Sequence, residues 1–99
     1  MIRHVLLMKL KPETTEEQRQ ECLRRMQALP AQIPFANQYE AGLGLLHEDT
    51  SWDLVQLMVL GNREQIFEFR THPAHVEASR YVAQFVEQMA GVDCEYEST

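Results

Sequence analysis

Two segments of the chain carry apolar side chains on both faces when they are written as β-strands. In Ile2–Leu10 the even positions form one apolar face, and Val5 and Leu7 lie on the other. Trp52–Leu60 repeats this pattern, with Leu57 among the apolar residues of its second face. A strand with one face in water alternates apolar and polar residues, whereas these two segments do not. We therefore expect a sheet that is covered on both sides.

A helix is predicted after the first strand. Thr14 and Glu17 have the spacing of a capping box, and the apolar stripe that follows extends to about Leu29. Pro30 and Pro34 then indicate the end of the helix and a turn, because proline cannot continue a helix from within.

A hairpin is predicted in the middle of the chain. Asn37–Leu46 is a weakly patterned strand candidate in which Gly42 and Gly44 indicate a bulge or bend. The polar stretch His47–Ser51 joins it to the strong strand Trp52–Leu60.

The last third of the chain predicts two helices and a strand. A short helix begins near Asn62 and ends near Arg70. Pro73 suits the first position of a second helix, which we expect to end near Met89 before Gly91. Its inward stripe consists of Ala78, Val82, Phe85, Val86 and Met89. The alternating tail Val92–Glu97 is predicted as a half-exposed last strand.

The element order β-α-β-β-α-α-β is typical of a ferredoxin-like α+β subunit with an antiparallel four-stranded sheet, here a single domain over residues 1–99. Helices cover only one sheet face in this fold. A second copy of the same sheet is the simplest cover for the other face, which predicts a homodimer in the form of a dimeric α/β barrel. The face expected to pair contains Val5, Leu7, Val55, Leu57 and Val59.

Composition excludes several classes of partner. A net charge of −6 argues against nucleic acid and anionic membrane, because phosphate binding requires clustered Lys and Arg. The run Val5–Met8 is far shorter than a signal peptide or a membrane span. Cys22 and Cys94 lie within apolar patterns, and we expect both to be buried thiols in a reducing cytoplasm.

Two histidines are the candidates for chemistry. His4 lies on the even face of the first strand, and His75 belongs to the first turn of the inward stripe of the last helix. Burial and the positive end of the helix dipole both favour a neutral His75 that can accept a proton. The alternative is a core histidine that is satisfied by a backbone carbonyl. His72 and His75 form an HxxH pattern, but Pro73 places His72 outside the helix, so we expect it to cap the helix and predict no metal site.

The segment Ile2–Lys11 and the sequence Thr71-His72-Pro73-Ala74-His75 resemble those of the stress-responsive A/B barrel family (Dabb domain), and the likeness extends over nearly the whole chain. The resemblance implies a dimeric α+β barrel built from two four-stranded sheets. The family includes plant heat- and boiling-stable proteins and olivetolic acid cyclase, which closes a linear polyketide by aldol condensation.

The same likeness implies a site between the sheet and the helices of each subunit. His75 matches the catalytic histidine of the cyclase, and His4 matches a pocket histidine. The other implied lining residues are Leu6, Met8, Met26, Leu54, Gln56, Phe69 and Val86. No cofactor is implied. Some members hold a cation by backbone carbonyls at the turn after the first helix, here around Pro30, Ile33 and Ala36.

The chain departs from the cyclase in the chemistry of this site. The tyrosine that partners the cyclase histidine falls on Phe69, which has no hydroxyl, and bulky aromatic residues of its pocket fall on Cys22, Leu23 and Met26. The resemblance therefore supports the fold, but it does not support cyclase activity.

Three functions remain open from the sequence. The first is a cofactor-independent enzyme of cyclase, isomerase or decarboxylase type, with His75 as base and His4 or Gln56 orienting a carbonyl or phenolic ligand. The second is a stress-responsive or ligand-binding protein without chemistry. The third, by analogy of fold alone, is a monooxygenase of the same barrel superfamily.

Overall fold

The computed structural model describes residues 1–97. Its elements, in chain order, are β1 (Ile2–Leu10), α1 (Glu16–Gln27), α2 (Leu29–Gln32), β2 (Asn37–Leu43), β3 (Leu54–Leu60), α3 (Glu64–Thr71), α4 (Pro73–Ala83) and β4 (Val86–Glu95). The strands form one antiparallel sheet in the order β2-β3-β1-β4. This is the α+β, ferredoxin-like subunit that the sequence predicts, and the prediction of the fold class is confirmed.

The even positions of β1 lie on the inner face of the sheet, towards the helices. Their partners on β3 and β4 follow from the register, in which His4 is opposite Met58 and Asp93, and Met8 is opposite Leu54 and Met89. The core lies between this face and the helices, where Ile2, Met8, Leu10, Leu54, Met58 and Leu60 are all buried.

Helix α1 begins one residue later than the sequence pattern predicts. The Thr15 hydroxyl accepts from the Gln18 backbone N–H at 3.1 Å, and the Gln18 side chain accepts from the Thr15 N–H at 2.9 Å. The expected pair of Thr14 and Glu17 is therefore wrong. Both pairs fit the same spacing rule, so the pattern alone does not distinguish them.

The segment after α1 differs from the expected turn. Pro30 does not end a helix but lies in the first turn of the short helix α2, where the missing proline N–H removes no hydrogen bond. Strand β2 ends at Leu43, so Leu45 and Leu46 lie outside it and are exposed. The bulge lies near Gln38 rather than at the glycines, since the register of β2 against β3 shifts between Asn37 and Glu40.

The largest correction concerns the chain after Ala83. Helix α4 ends there, and the predicted helical residues Val86–Met89 belong to β4, which pairs with β1 along its length. The backbone N–H of Lys11 donates to the Phe85 carbonyl at 2.7 Å at the start of this pairing. Gly91, expected to stop the helix, lies within β4, where a Cβ would lie only 3.3 Å from Leu6 Cδ1. A fourth strand beside β1 satisfies a row of backbone groups that a longer helix would leave without partners.

The outer face of the sheet carries no helix of the described chain. Its apolar residues include Val5, Leu7, Val55 and Leu57, which are half-buried, and Val92, which is 55% exposed. Cys94 shares the face of Val92 and is exposed in the single subunit, so the expectation of two buried thiols holds for Cys22 only. Across residues 1–97, every helix is too short or too polar to cross a lipid bilayer.

Candidate functional site

A cavity of about 420 Å³ lies between the inner sheet face and the helices. Its volume is within the range of small-molecule sites. The wall is formed by His4, Leu6, Met8, Met26, Leu29, Gln56, Phe69, Arg70, His75, Ala78, Ser79, Val82, Ala83, Val86 and Met89. Four of these residues, Arg70, Ser79, Ala83 and Met89, are exposed and form the open rim between α3, α4 and the edge strand β4.

Eight of the nine residues that the sequence suggests for the site lie in this wall. They are His4, Leu6, Met8, Met26, Gln56, Phe69, His75 and Val86. The ninth, Leu54, is 1% exposed and belongs to the core beneath the cavity. It shares a face with Gln56, but at its level of the sheet the cavity wall is formed by its neighbours Met8 and Met89.

His75 is held in one tautomer by the backbone. Its Nδ1–H donates to the Arg70 carbonyl at 3.0 Å, and a carbonyl oxygen can only accept. Burial lowers the pKa of His75, nearby charge on His4 and Arg70 acts in the same direction, and the bond to the carbonyl opposes it. The ring packs against Phe69 with centroids 4.7 Å apart. The result is a neutral imidazole whose Nε2 has no hydrogen-bond partner among residues 1–97.

His4 has the opposite arrangement, because both of its ring nitrogens have partners. Nδ1 lies 2.7 Å from Oδ1 of Asp93, and Nε2 lies 3.1 Å from Oε1 of Gln56. Carboxylate and amide oxygens can only accept, so each ring nitrogen faces an acceptor. The amide of Gln56 then donates to the Tyr39 hydroxyl at 2.7 Å. Four side chains from four strands therefore form one continuous hydrogen-bonded row across the sheet.

Tyr39 enters this row through a strained backbone. Gln38 has φ 48°, in the left-handed region that a non-glycine residue seldom adopts, at the bulge of β2. The bulge adds a residue to one strand and changes which side chains face inward. Burial raises the pKa of Tyr39 to about 12, although the bond to Gln56 acts in the other direction. Tyr39 therefore remains a neutral hydroxyl.

Sequence reasoning did not assign several residues to the site, namely Asp93 and Tyr39 of the polar row and Leu29, Arg70, Ala78, Ser79, Ala83 and Met89 of the wall. Asp93 bonds His4, and its other carboxylate oxygen lies 3.8 Å from the Arg70 guanidinium. The sequence pattern places Arg70 at the end of a helix and Asp93 on the polar side of the last strand. Asp93 lies opposite His4 through the register of β4 against β1, which the spacing of residues within β4 does not reveal.

The remaining histidines lie outside the cavity wall. His72 caps α4, because its Nδ1 accepts from the Ala74 backbone N–H at 3.1 Å, in the role that the sequence predicts for it. His47 is exposed in the loop between β2 and β3. The turn after α1 is where some members of the resembling family hold a cation by backbone carbonyls. There the Ile33 carbonyl accepts a hydrogen bond from the Ala36 N–H at 3.0 Å. A cation at this turn stays a prediction.

Comparisons with known proteins place the chain in a family. The family model described as the stress-responsive A/B barrel domain matches residues 2–96. A dimeric protein of unknown function with a ferredoxin-like fold from Bacteroides fragilis is 27% identical, with a TM-score of 0.82 over 96% of this chain and 95% of that chain.

Two further structures share the fold at lower identity. A dimeric ferredoxin-like protein of unknown function from Thermobifida fusca is 23% identical, with a TM-score of 0.86 over 96% of this chain and 90% of that chain. A hydroxynitrile lyase from Passiflora edulis is 13% identical, with a TM-score of 0.83 over 99% of this chain and 94% of that chain. A search of curated proteins finds no match to this chain.

Proposed function

The chain belongs to the stress-responsive A/B barrel domain (Dabb) family, and we propose that this member is a cofactor-independent acid–base enzyme that acts on a small carbonyl or phenolic compound in the cavity. The observation that carries the proposal is the state of His75. A neutral imidazole with a fixed Nδ1–H tautomer and an unpartnered Nε2, in the wall of an apolar cavity, has the properties of a general base.

In the proposed reaction, Nε2 of His75 takes a proton from a carbon next to a carbonyl group. The electron pair of the broken C–H bond moves into the carbonyl, which becomes an enolate. Gln56 lines the same cavity, and His4 holds its amide in place. One N–H of that amide donates to Tyr39, which leaves the second N–H to orient the carbonyl and donate to the negative oxygen. The site therefore has an acceptor in His75 and a donor in Gln56. A hydroxynitrile lyase has the same fold, so the fold is compatible with lyase chemistry by analogy.

The test is the exchange of carbon-bound protons in D₂O. Wild-type protein is incubated with small ketones and 1,3-dicarbonyl compounds, and the loss of the α-proton signals is followed by NMR. We expect exchange above the buffer rate and a loss of about a hundredfold or more in His75→Gln. His47→Gln, in an exposed loop, is the matched control and should keep the wild-type rate.

A second candidate function is ligand binding without chemistry. It is favoured by Phe69, which lies against His75 where the cyclase has a tyrosine and so offers no acid to protonate an intermediate. Compounds that raise the melting temperature of the wild type but undergo no exchange would support this function over the enzyme.

We also propose that the chain forms a homodimer through the outer sheet face. The apolar residues of that face are left without a helix, and the related structures from Bacteroides fragilis and Thermobifida fusca are described as dimeric. Light scattering at micromolar concentration should give about twice the 11.5 kDa chain mass. A cytoplasmic location stays a prediction from the sequence.

A further inference from the structure

The cavity wall has a positively charged residue but no negatively charged one. The chain has 15 acidic and 9 basic residues, yet among the residues that line the cavity none is Asp or Glu. Arg70 is the lining residue with a permanent charge, and it lies at the open rim. A cavity lining without carboxylates and with an arginine at its opening favours a ligand of negative charge, although the chain as a whole is acidic.

The charge of Arg70 is only partly balanced within the protein. The nearest carboxylate is Asp93, whose Oδ1 already accepts from His4 at 2.7 Å. The guanidinium Nη2 lies 3.8 Å from the other oxygen, which is beyond hydrogen-bond distance. Since the Arg70 side chain is 58% exposed, its donors remain accessible to a ligand that enters at the rim.

The cavity is also polarised along the direction of β1. His4 lies at one level of the sheet, opposite Asp93, whereas Met8 lies four residues further along, opposite Met89. Four residues of a strand span about 13 Å at about 3.3 Å each. His4 lies at the first level and Gln56 lies at the next, opposite Leu6. The far end is apolar and is formed by Met8, Met26, Val82, Val86 and Met89.

We propose that the ligand of this cavity is an amphipathic carboxylate, whose anionic head binds the Arg70 guanidinium at the rim and whose hydrocarbon body extends along β1 towards Met8. The inference rests on the proposed function, because it concerns the same cavity, and it adds the class of substrate. Arginine suits this role since its planar guanidinium can donate two parallel hydrogen bonds to one carboxylate.

The test compares octanoate with octanamide, which have the same length but differ in charge. Titrations followed by NMR of the methionine methyl groups give the affinity for each probe and its location. We expect wild type to bind octanoate about fivefold more tightly than octanamide, a modest factor because Arg70 is more than half exposed. Arg70→Gln should remove the preference for octanoate over octanamide, whereas Arg70→Lys should retain part of it. Arg63→Gln, which alters an exposed arginine paired with Glu95, is the matched control and should keep the preference.

Salt provides a second readout, since a pair at the rim is screened. The preference for octanoate should fall as ionic strength rises, while the affinity for octanamide stays constant. Equal binding of the two probes by wild type, or a preference that survives Arg70→Gln, would refute the anionic head group at Arg70 and leave the acid–base proposal intact. If neither probe shifts the signals of Met8 and Met26, ligand binding in the cavity is refuted as well, and the proposed function loses its basis.

Discussion

Replacing Phe69 by tyrosine tests whether the space beside His75 is an accessible site or packed core. Phe69 is 3% exposed, and its ring contributes both to the core cluster of Ile2 and Met58 and to the cavity wall next to His75. A hydroxyl placed in packed core without a partner costs about 1–3 kcal/mol. In a domain of this size each kcal/mol lowers the melting temperature by about 4–8 °C. A hydroxyl that reaches the unpartnered Nε2 of His75 instead gains about 0.5–1.5 kcal/mol, which offsets its desolvation.

We expect the second outcome, because the two rings are 4.7 Å apart and both line the cavity. Phe69→Tyr should change the free energy of unfolding by less than about 1 kcal/mol, and the imidazole NMR signals of His75 should shift. Phe67→Tyr is the control, since Phe67 belongs to the same helix and is 61% exposed. A loss of more than about 2 kcal/mol with unchanged His75 signals would refute the reasoning, because it would mean that the para position of Phe69 points into packed core.

Two further outcomes follow from the burial of single residues. Leu57→Glu places a charge on the proposed interface and should cause dissociation or unfolding at a cost of several kcal/mol. Light scattering should show the loss of the dimer. Val76→Glu, on the exposed side of α4, is the control and should leave the measured mass unchanged. Burial lowers the pKa of His75 in the folded state below its ordinary value of about 6.5. The unfolded state therefore binds more protons below that pH. The contribution of His75 to the free energy of unfolding is fully present above about pH 6.5 and is lost as the pH drops below it. His75→Gln should reduce this acid sensitivity in thermal melts at a series of pH values, and His47→Gln should not; an unchanged pH dependence in His75→Gln would show that other groups cause the loss.

The sequence predicted the two central strands, β1 and β3, well because their signal is local. Apolar residues on both faces of β1 and β3 require two covering layers, whatever the order of the other elements. The failures occurred where two periodicities coincide. Val82, Val86 and Met89 are spaced by four and three residues, as on a helix, yet Val86 and Met89 lie in a strand. Only the pairing of β4 with β1 decides between the two, and a pairing between distant segments cannot be deduced from the spacing within one segment.

The same limit applies to the candidate site. His4 and His75 could be found because each lies on the apolar face of a single element. Asp93 and Tyr39 could not, because their positions depend on the register of β4 and on the strained residue Gln38 in β2. A glutamine in the left-handed region gives no sequence signal, since glycine or asparagine is the usual choice there.

The polar row across the sheet has a consequence for where ligand chemistry can occur. A buried polar group without a partner is costly, and the row from Asp93 through His4 and Gln56 to Tyr39 gives each member a partner within the protein. The His75 ring differs, because the backbone carbonyl of Arg70 holds only one of its two nitrogens. Any ligand that enters the cavity therefore meets polar groups held in place by one another on the sheet side and an open acceptor on the helix side. That asymmetry is why we assign the base to α4 and the orienting groups to the sheet.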